Sequence, residues 1–287
     1  MRGEVRELRG RAVVITGAAG GIGTCLAREF AVEGAKVALL DLDRGRLESV
    51  AGSLANFVDG SRRAPEVLSL VCDLTDPSAC ERSIGAVIAE WGGVDVLVNN
   101  AGISHRSLFR DTDLAVIHKV VAVNLFGTVH CTRAAIESIV ERRGAIVAIS
   151  SVAGFAPLVG RTAYSASKHA LHGLCESLRA ELHGSGVDVT MVCPGFVDTR
   201  MDTRVLAGDG GPPVRPKTVI GNPSDPEDVA RQIVRAVARR RRLLVISAVG
   251  KMSLWLSRLA PALYERVMRR AQAVEMAADA GGECGGL

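Results

Sequence analysis

Tyr164 and Lys168 stand four residues apart in a stretch with helical periodicity, 162–183, so their heads fall on one face about one turn from each other. A tyrosine beside a lysine can do proton chemistry. A free phenol has a pKa of ~10, and acting as a base near neutrality requires a drop of ~3 units, or ~4 kcal/mol of preferential stabilisation of the phenolate. An ammonium at ~4 Å in an effective dielectric of ~20 supplies about that amount before desolvation is charged against it. Tyr164 is therefore the expected general acid/base for the proton of a substrate hydroxyl. Ser151, at the exit of the AIVAIS run (145–150), can hydrogen-bond the same substrate oxygen, although Ser150 and Ser151 could also merely end a strand.

The second chemical signal is TGAAGGIG, Thr16 to Gly23, between a short apolar run and a helical one. Gly17, Gly21 and Gly23 depart from the common GxGxxG spacing but occupy its strand, turn and helix context. Glycines there let backbone amides approach a pyrophosphate, which then sits on the positive end of a helix beginning near Ile22. The next strand ends at Asp41, where dinucleotide folds place an acid that accepts from the adenosine ribose hydroxyls. A carboxylate there repels a 2′-phosphate, so NAD is expected, with NADP as the alternative because Arg44 and Arg46 lie close by.

The elements that must position these groups are legible as a βαβ series. Apolar β-branched runs at 12–16, 36–41, 67–73 and 94–99 alternate with amphipathic stretches at 22–33, 44–57 and 77–91. The pattern repeats with helices expected over 112–141, 162–183 and 226–240 and strands over 145–150, 187–193 and 243–247. Near-continuous apolar strands are buried on both faces. The expected fold is α/β, a doubly wound, mostly parallel seven-stranded Rossmann sheet with helices on both faces. Residues 8–250 are read as one dinucleotide-binding and catalytic domain, and the Gly/Pro-rich 201–225 as a structureless loop acting as a lid beside the site.

Composition narrows the function classes. The 287 residues are 48% hydrophobic and 23% charged, which excludes a disordered or collagen-like chain. No window offers ~18 uncharged apolar residues, so no membrane-spanning helix is expected, and the charged start MRGEVRELRG does not resemble a signal peptide. Seven scattered cysteines with no Cys-x-x-Cys pair argue against disulfides and zinc and for reduced, cytoplasmic thiols; no metal site is expected. The net charge of +4 hides an asymmetry, since residues 231–270 hold eleven basic side chains against Glu265 alone. With 3% aromatic residues and none among Arg239–Arg242, stacking platforms for bases are missing, so nucleic acid is not an expected partner. The end of that stretch, 251–270, mixes Leu, Trp255 and Tyr264 with Arg in a loosely helical pattern broken by Pro261. Three readings fit it: a lid or subunit contact, a peripheral contact with anionic lipid, or a loose tail. The Gly-rich 271–287 reads as frayed.

Together, Thr16-Gly17-x-x-x-Gly21-x-Gly23, Asn99-Asn100-Ala101-Gly102, Asn124, Ser151 and Tyr164-x-x-x-Lys168 resemble the short-chain dehydrogenase/reductase family in its single-domain branch. Pro194-Gly195-x-Val197-x-Thr199 follows the sixth strand in the family's order, and the resemblance covers residues 8 to about 250. It implies an oxidoreductase interconverting a small-molecule secondary alcohol and a ketone. It also implies that Lys168 holds the nicotinamide ribose, that Asn124 belongs to a water-linked proton relay, and that Asp73 meets the adenine. Asn99 and Gly102 would line the adenosine side, with Pro194, Val197 and Thr199 at the carboxamide. From the residues alone, Asp73 could equally be a helix-start acid and Asn124 a buried structural residue. His105, just after the NNAG turn, is placed at the substrate's border. Family members are often dimers or tetramers through two long helices, here 112–141 and 162–183. A lid or membrane role for 251–270 would suit a bulky apolar substrate of sterol, retinoid-like or fatty type. The alternative is a non-catalytic NAD-sensing protein, against which the intact Tyr164 and Lys168 argue.

Overall fold

The computed structural model describes residues 5–55, 64–156, 158–199, 205–212 and 223–271. In chain order the elements begin β1 (Ala12–Thr16), α1 (Gly21–Val32), β2 (Lys36–Asp41), α2 (Arg44–Ala55), β3 (Val67–Val71), α3 (Pro77–Trp91), β4 (Val96–Asn99) and β5 (Ser104–His105). They continue α4 (Leu114–Val121), α5 (Gly127–Glu141), β6 (Ala145–Ile149), α6 (Thr162–Glu181), β7 (Asp188–Cys193), β8 (Val205–Leu206), α7 (Pro226–Ala238), β9 (Leu243–Val245), α8 (Ala248–Leu259) and α9 (Pro261–Ala271).

Seven of these strands form one parallel sheet in the order β3-β2-β1-β4-β6-β7-β9. The chain runs outward from β1 to β3, then returns to β4 on the other side of β1. That reversal leaves a crevice beyond the carboxyl ends of β1 and β4, where open α/β sheets bind ligands. The strands carry apolar side chains to both faces because helices cover both. Val13 and Ile15 enter one core with Leu26, Phe30 and Ile233, while Val14 between them enters the other with Ile84 and Ile139.

Three expectations change. The single helix over 112–141 is two helices joined by a π turn, Ala122–Phe126, whose wider winding turns Asn124 fully inward. Leu114–Glu141 is long and apolar enough to cross a membrane by length and composition, despite Lys119, but here it is a layer of the fold, with Cys131, Ala135 and Ile139 buried against the sheet. The stretch 201–225 is not structureless where it is described. β8 pairs in parallel with β5, Ser104 opposite Val205 and His105 opposite Leu206, and Val197 bridges Ser224, so its ends are tied to the site by backbone hydrogen bonds that composition does not reveal. Residues 200–204 and 213–222 of the expected lid, and the expected frayed end 272–287, lie outside the described residues. The helical pattern is interrupted at Pro261 as expected: α8 ends at Leu259, and Pro261 begins α9 with its missing N–H at the first position.

Candidate active site

Two turns brace each other at the mouth of the crevice. The Thr16 hydroxyl accepts from the amides of Asn100 and Ala101 at 3.0 and 3.1 Å, and the Asn100 side-chain amide donates to the carbonyls of Thr16 and Gly17 at 3.0 and 3.1 Å. Gly17 sits at φ +64°, where a Cβ would also lie 2.8 Å from Cα of Ala101. At Gly23 a Cβ would fall on the Gly17 carbonyl oxygen. Helix α1 starts from Gly20 with no side chain accepting its first amides, whereas Asp76, Asp225 and Ser247 do this for α3, α7 and α8. Its first turn, Gly21, Ile22 and Gly23, therefore turns unserved N–H groups and the positive helix end onto the cavity wall. A pyrophosphate fits that cradle.

The other cofactor candidates divide by strand alternation. Asp41, buried at the end of β2, holds the glycine loop: its carboxylate accepts from the amides of Ala19 at 3.1 Å and Leu42 at 2.8 Å. Asn99 turns away from the crevice, donating to the Thr132 hydroxyl at 3.2 Å, and it is the next residue, Asn100, that faces the cavity. Asp73 is exposed and accepts from both the amide and the hydroxyl of Thr75, at 2.9 and 2.7 Å, which is the turn-forming alternative for that acid. Gly102, Pro194, Val197 and Thr199 all reach the cavity.

At the far end, Ser151, Tyr164 and Lys168 converge on a cavity of about 910 Å³. The Ser151 hydroxyl accepts from the Ala153 amide at 3.2 Å on the same cavity wall as the phenol of Tyr164. Burial pushes the phenol's pKa up, and the neighbouring Ser151 hydroxyl and the guanidinium of Arg161 pull it down. The ammonium expected ~4 Å from the phenol is directed elsewhere. Lys168 donates to the Ile149 carbonyl at 2.7 Å, its Nζ 5.8 Å from the centre of the tyrosine ring, and burial lowers its pKa to about 8. The cation acting on Tyr164 is Arg161, the N-cap residue of α6 three positions earlier, buried and donating to the His105 carbonyl at 3.0 Å. Sequence reasoning passed over it, although an arginine three residues before a candidate base was a readable signal.

Asn124 is buried without reaching the cavity wall. Its side chain accepts from the Ile103 amide at 2.8 Å and donates to the Ile103 carbonyl and the Ser167 hydroxyl at 3.0 and 2.9 Å. It ties the turn after β4 to α6, one residue from Lys168. His105 points away from the cavity while its neighbours Ser104 and Arg106 face it; the ring is fully buried with no partner on either nitrogen. Burial lowers His105, and also His172, to about 4.

Those two histidines set a pH dependence. Each takes up a proton at its ordinary pKa of ~6.5 when unfolded but only near 4 when folded, so stability present above pH ~6.5 is lost as pH falls toward 4. The fully buried His105 contributes up to ~1.4 kcal/mol per pH unit across that window, and the less buried His172 contributes less. Urea titrations between pH 7 and 4 should show this fall, and His105→Asn should flatten it; an unchanged slope in the variant would remove His105 from the account.

The cavity continues from Tyr164 past Val152, Leu158 and Phe196, and α8 and α9 wall it on the far side through Met252, Leu256, Tyr264 and Met268. Among the described residues no cluster of His, Cys, Asp or Glu could hold a metal, and the six described cysteines are free.

Residues 11–209 match the short chain dehydrogenase family. The chain is 35% identical over 267 residues to a dehydrogenase/reductase SDR family protein 7-like from Anopheles gambiae, covering 92% of this chain and 84% of that one. It is 36% identical over 264 residues to dehydrogenase/reductase SDR family member 7B from Danio rerio, covering 91% and 85%. Among solved structures, a short-chain dehydrogenase/reductase from Burkholderia phymatum in complex with NAD superposes with TM-score 0.79 at 25% identity, covering 90% and 96%. An alcohol dehydrogenase from Thermococcus sibiricus complexed with 5-hydroxy-NADP superposes with TM-score 0.70 at 25% identity, covering 84% and 98%. With a seven-stranded doubly wound sheet, a glycine cradle at its switch point and serine, tyrosine and lysine around one cavity, the chain belongs to the short-chain dehydrogenase/reductase family of oxidoreductases.

Proposed function

We propose that the protein interconverts a secondary alcohol and a ketone, with NAD as its cofactor and a bulky apolar substrate. The observation that carries the reading is the convergence of Ser151, Tyr164 and Lys168 on the wall of one cavity, with Arg161 as the cation that acts on the phenol. Bound NAD supplies the ring that accepts or returns hydride. Tyr164 takes the hydroxyl proton in oxidation and returns it to the carbonyl oxygen in reduction. Ser151 donates to that same oxygen and steadies its charge as it develops. Arg161 favours the phenolate that oxidation needs. Lys168, held by the Ile149 carbonyl and 3.4 Å from where a Gly102 side chain would begin, orients the cofactor's ribose. Asn124 keeps the turn after β4 and α6 in register around it.

Asp41 supports NAD over NADP. Arg46, a cation on the cavity wall, is paired with Asp43 at 3.2 Å, so a 2′-phosphate would meet a buried carboxylate and an arginine that already has an acidic partner. The apolar walls of Val152, Leu158, Phe196 and Leu256 support a sterol, retinoid-like or fatty substrate. Phe126 and Leu114, exposed on the α4–α5 layer, support a homodimer or homotetramer formed there, and the free thiols suit the cytoplasm. The test follows reduced-nicotinamide absorbance over a panel of secondary alcohols with NAD and with NADP. NAD should be preferred, and Asp41→Ser should shift kcat/KM at least tenfold toward NADP. An NADP preference in the unaltered chain would overturn the cofactor assignment.

A further inference from the structure

We propose that the outer face of the α8–α9 hairpin docks on an anionic lipid surface. At ~100° per residue, Met252, Trp255 and Leu259 fall within a narrow stripe of α8, and Leu263 and Val267 continue it on α9. All five are 47% to 76% exposed, whereas Leu254 and Leu256 of α8 and Met268 of α9 are half-buried and Tyr264 is buried. Gly250, Leu256, Tyr264 and Met268 face the cavity and the domain, so the hairpin is already seated and this second apolar stripe is surplus to folding. A tryptophan 66% exposed at the centre of such a stripe is the side chain that membrane interfaces favour, with an apolar body and one polar N–H.

Charge commits the occupant to lipid. Lys251 and Arg258 lie along one edge of the α8 stripe, and Arg266 and Arg270 along the edge of the α9 stripe. With Arg269 these make five cations against Glu265 alone, all exposed. Basic side chains bordering a shallow apolar ridge match an acyl boundary beneath anionic headgroups. A second copy of the hairpin would bring the same five cations face to face, which disfavours self-association as the cover. Met252 and Val267 belong both to this stripe and to the cavity wall, so docking sets that end of the cavity against the bilayer. Entry of a lipid-borne alcohol or ketone by that route rests on the reaction proposed above; the docking itself does not.

The experiment is cosedimentation of the full chain, without substrate, on phosphatidylcholine vesicles with and without phosphatidylglycerol, alongside sedimentation velocity. Binding is expected at least tenfold tighter with phosphatidylglycerol and should weaken with salt. Trp255→Ser with Leu259→Ser should cost tenfold or more on vesicles, and Arg266→Gln with Arg270→Gln should erase the preference for anionic lipid. NAD binding, measured in parallel, should be unchanged in both. No binding to either vesicle by a chain that still binds NAD would overturn the proposal. So would Trp255→Ser with Leu259→Ser converting an oligomer to a smaller species without altering vesicle binding, which would identify a second copy as the occupant. Because no turnover enters the readout, failure here leaves the proposed reaction standing, and failure of the reaction leaves this test intact.

Discussion

Replacing Tyr164 with phenylalanine should lower turnover of the best secondary alcohol by ~10³, within the range of a lost general acid/base, while leaving NAD affinity within about threefold. The phenol touches the substrate's proton and little else: its ring stays in place in the variant, and Lys168 keeps its bond to the Ile149 carbonyl. In the unaltered chain the oxidation rate should rise with pH as the phenol ionises, because oxidation consumes the phenolate. Ketone reduction should fall with pH, because it consumes the phenol. Burial holds the phenol protonated to higher pH, and Ser151 and Arg161 work against that, so the rising limb reports their balance. The check is a pH profile of kcat/KM in both directions. Retention of more than a tenth of the turnover in the phenylalanine variant, with its pH limb intact, would show that another group moves the proton.

The second large effect concerns cofactor binding. Gly23→Ala should weaken NAD affinity by at least a hundredfold, because the added methyl group would occupy the position of the Gly17 carbonyl oxygen and force the glycine turn off the first turn of α1. Backbone cannot yield there cheaply, since Gly17 is packed on Ala101 and the turn is pinned by Asn100. Gly52→Ala is the matched control. It lies in α2 with nothing within 4 Å of the new methyl group, so it should leave NAD affinity unchanged and stabilise the helix by up to ~1 kcal/mol. Calorimetric titration with NAD separates the two, and circular dichroism shows whether each variant keeps its helices. Equal affinity in both would mean that the cradle of glycines is not where the pyrophosphate lies.

Much of this was legible because local rules act at short range. Apolar runs such as AVVIT and KVALLD can only be strands covered on both sides, and their alternation with amphipathic stretches specifies the parallel sheet. A spacing of four on one helix brought Tyr164 and Lys168 to one cavity. What the residue string could not decide was direction across distance. Asn99 and Asn100 are chemically identical neighbours, and only the register of β4 between β1 and β6 turns the first toward Thr132 and the second toward the glycine loop. A lysine one turn from a tyrosine should act on it, yet its ammonium goes to a carbonyl at the end of β6, a partner that sheet order alone supplies. Pairing of β5 with β8 and the seating of α8 and α9 over the cavity likewise join residues about 100 or more apart in sequence, where periodicity carries no information. Sequence by itself determined the sheet, its helices and which residue types could do chemistry. The tertiary structure decided which of those side chains meet, because a hydrogen bond or an ion pair depends on the path of two distant backbones and not on the letters between them.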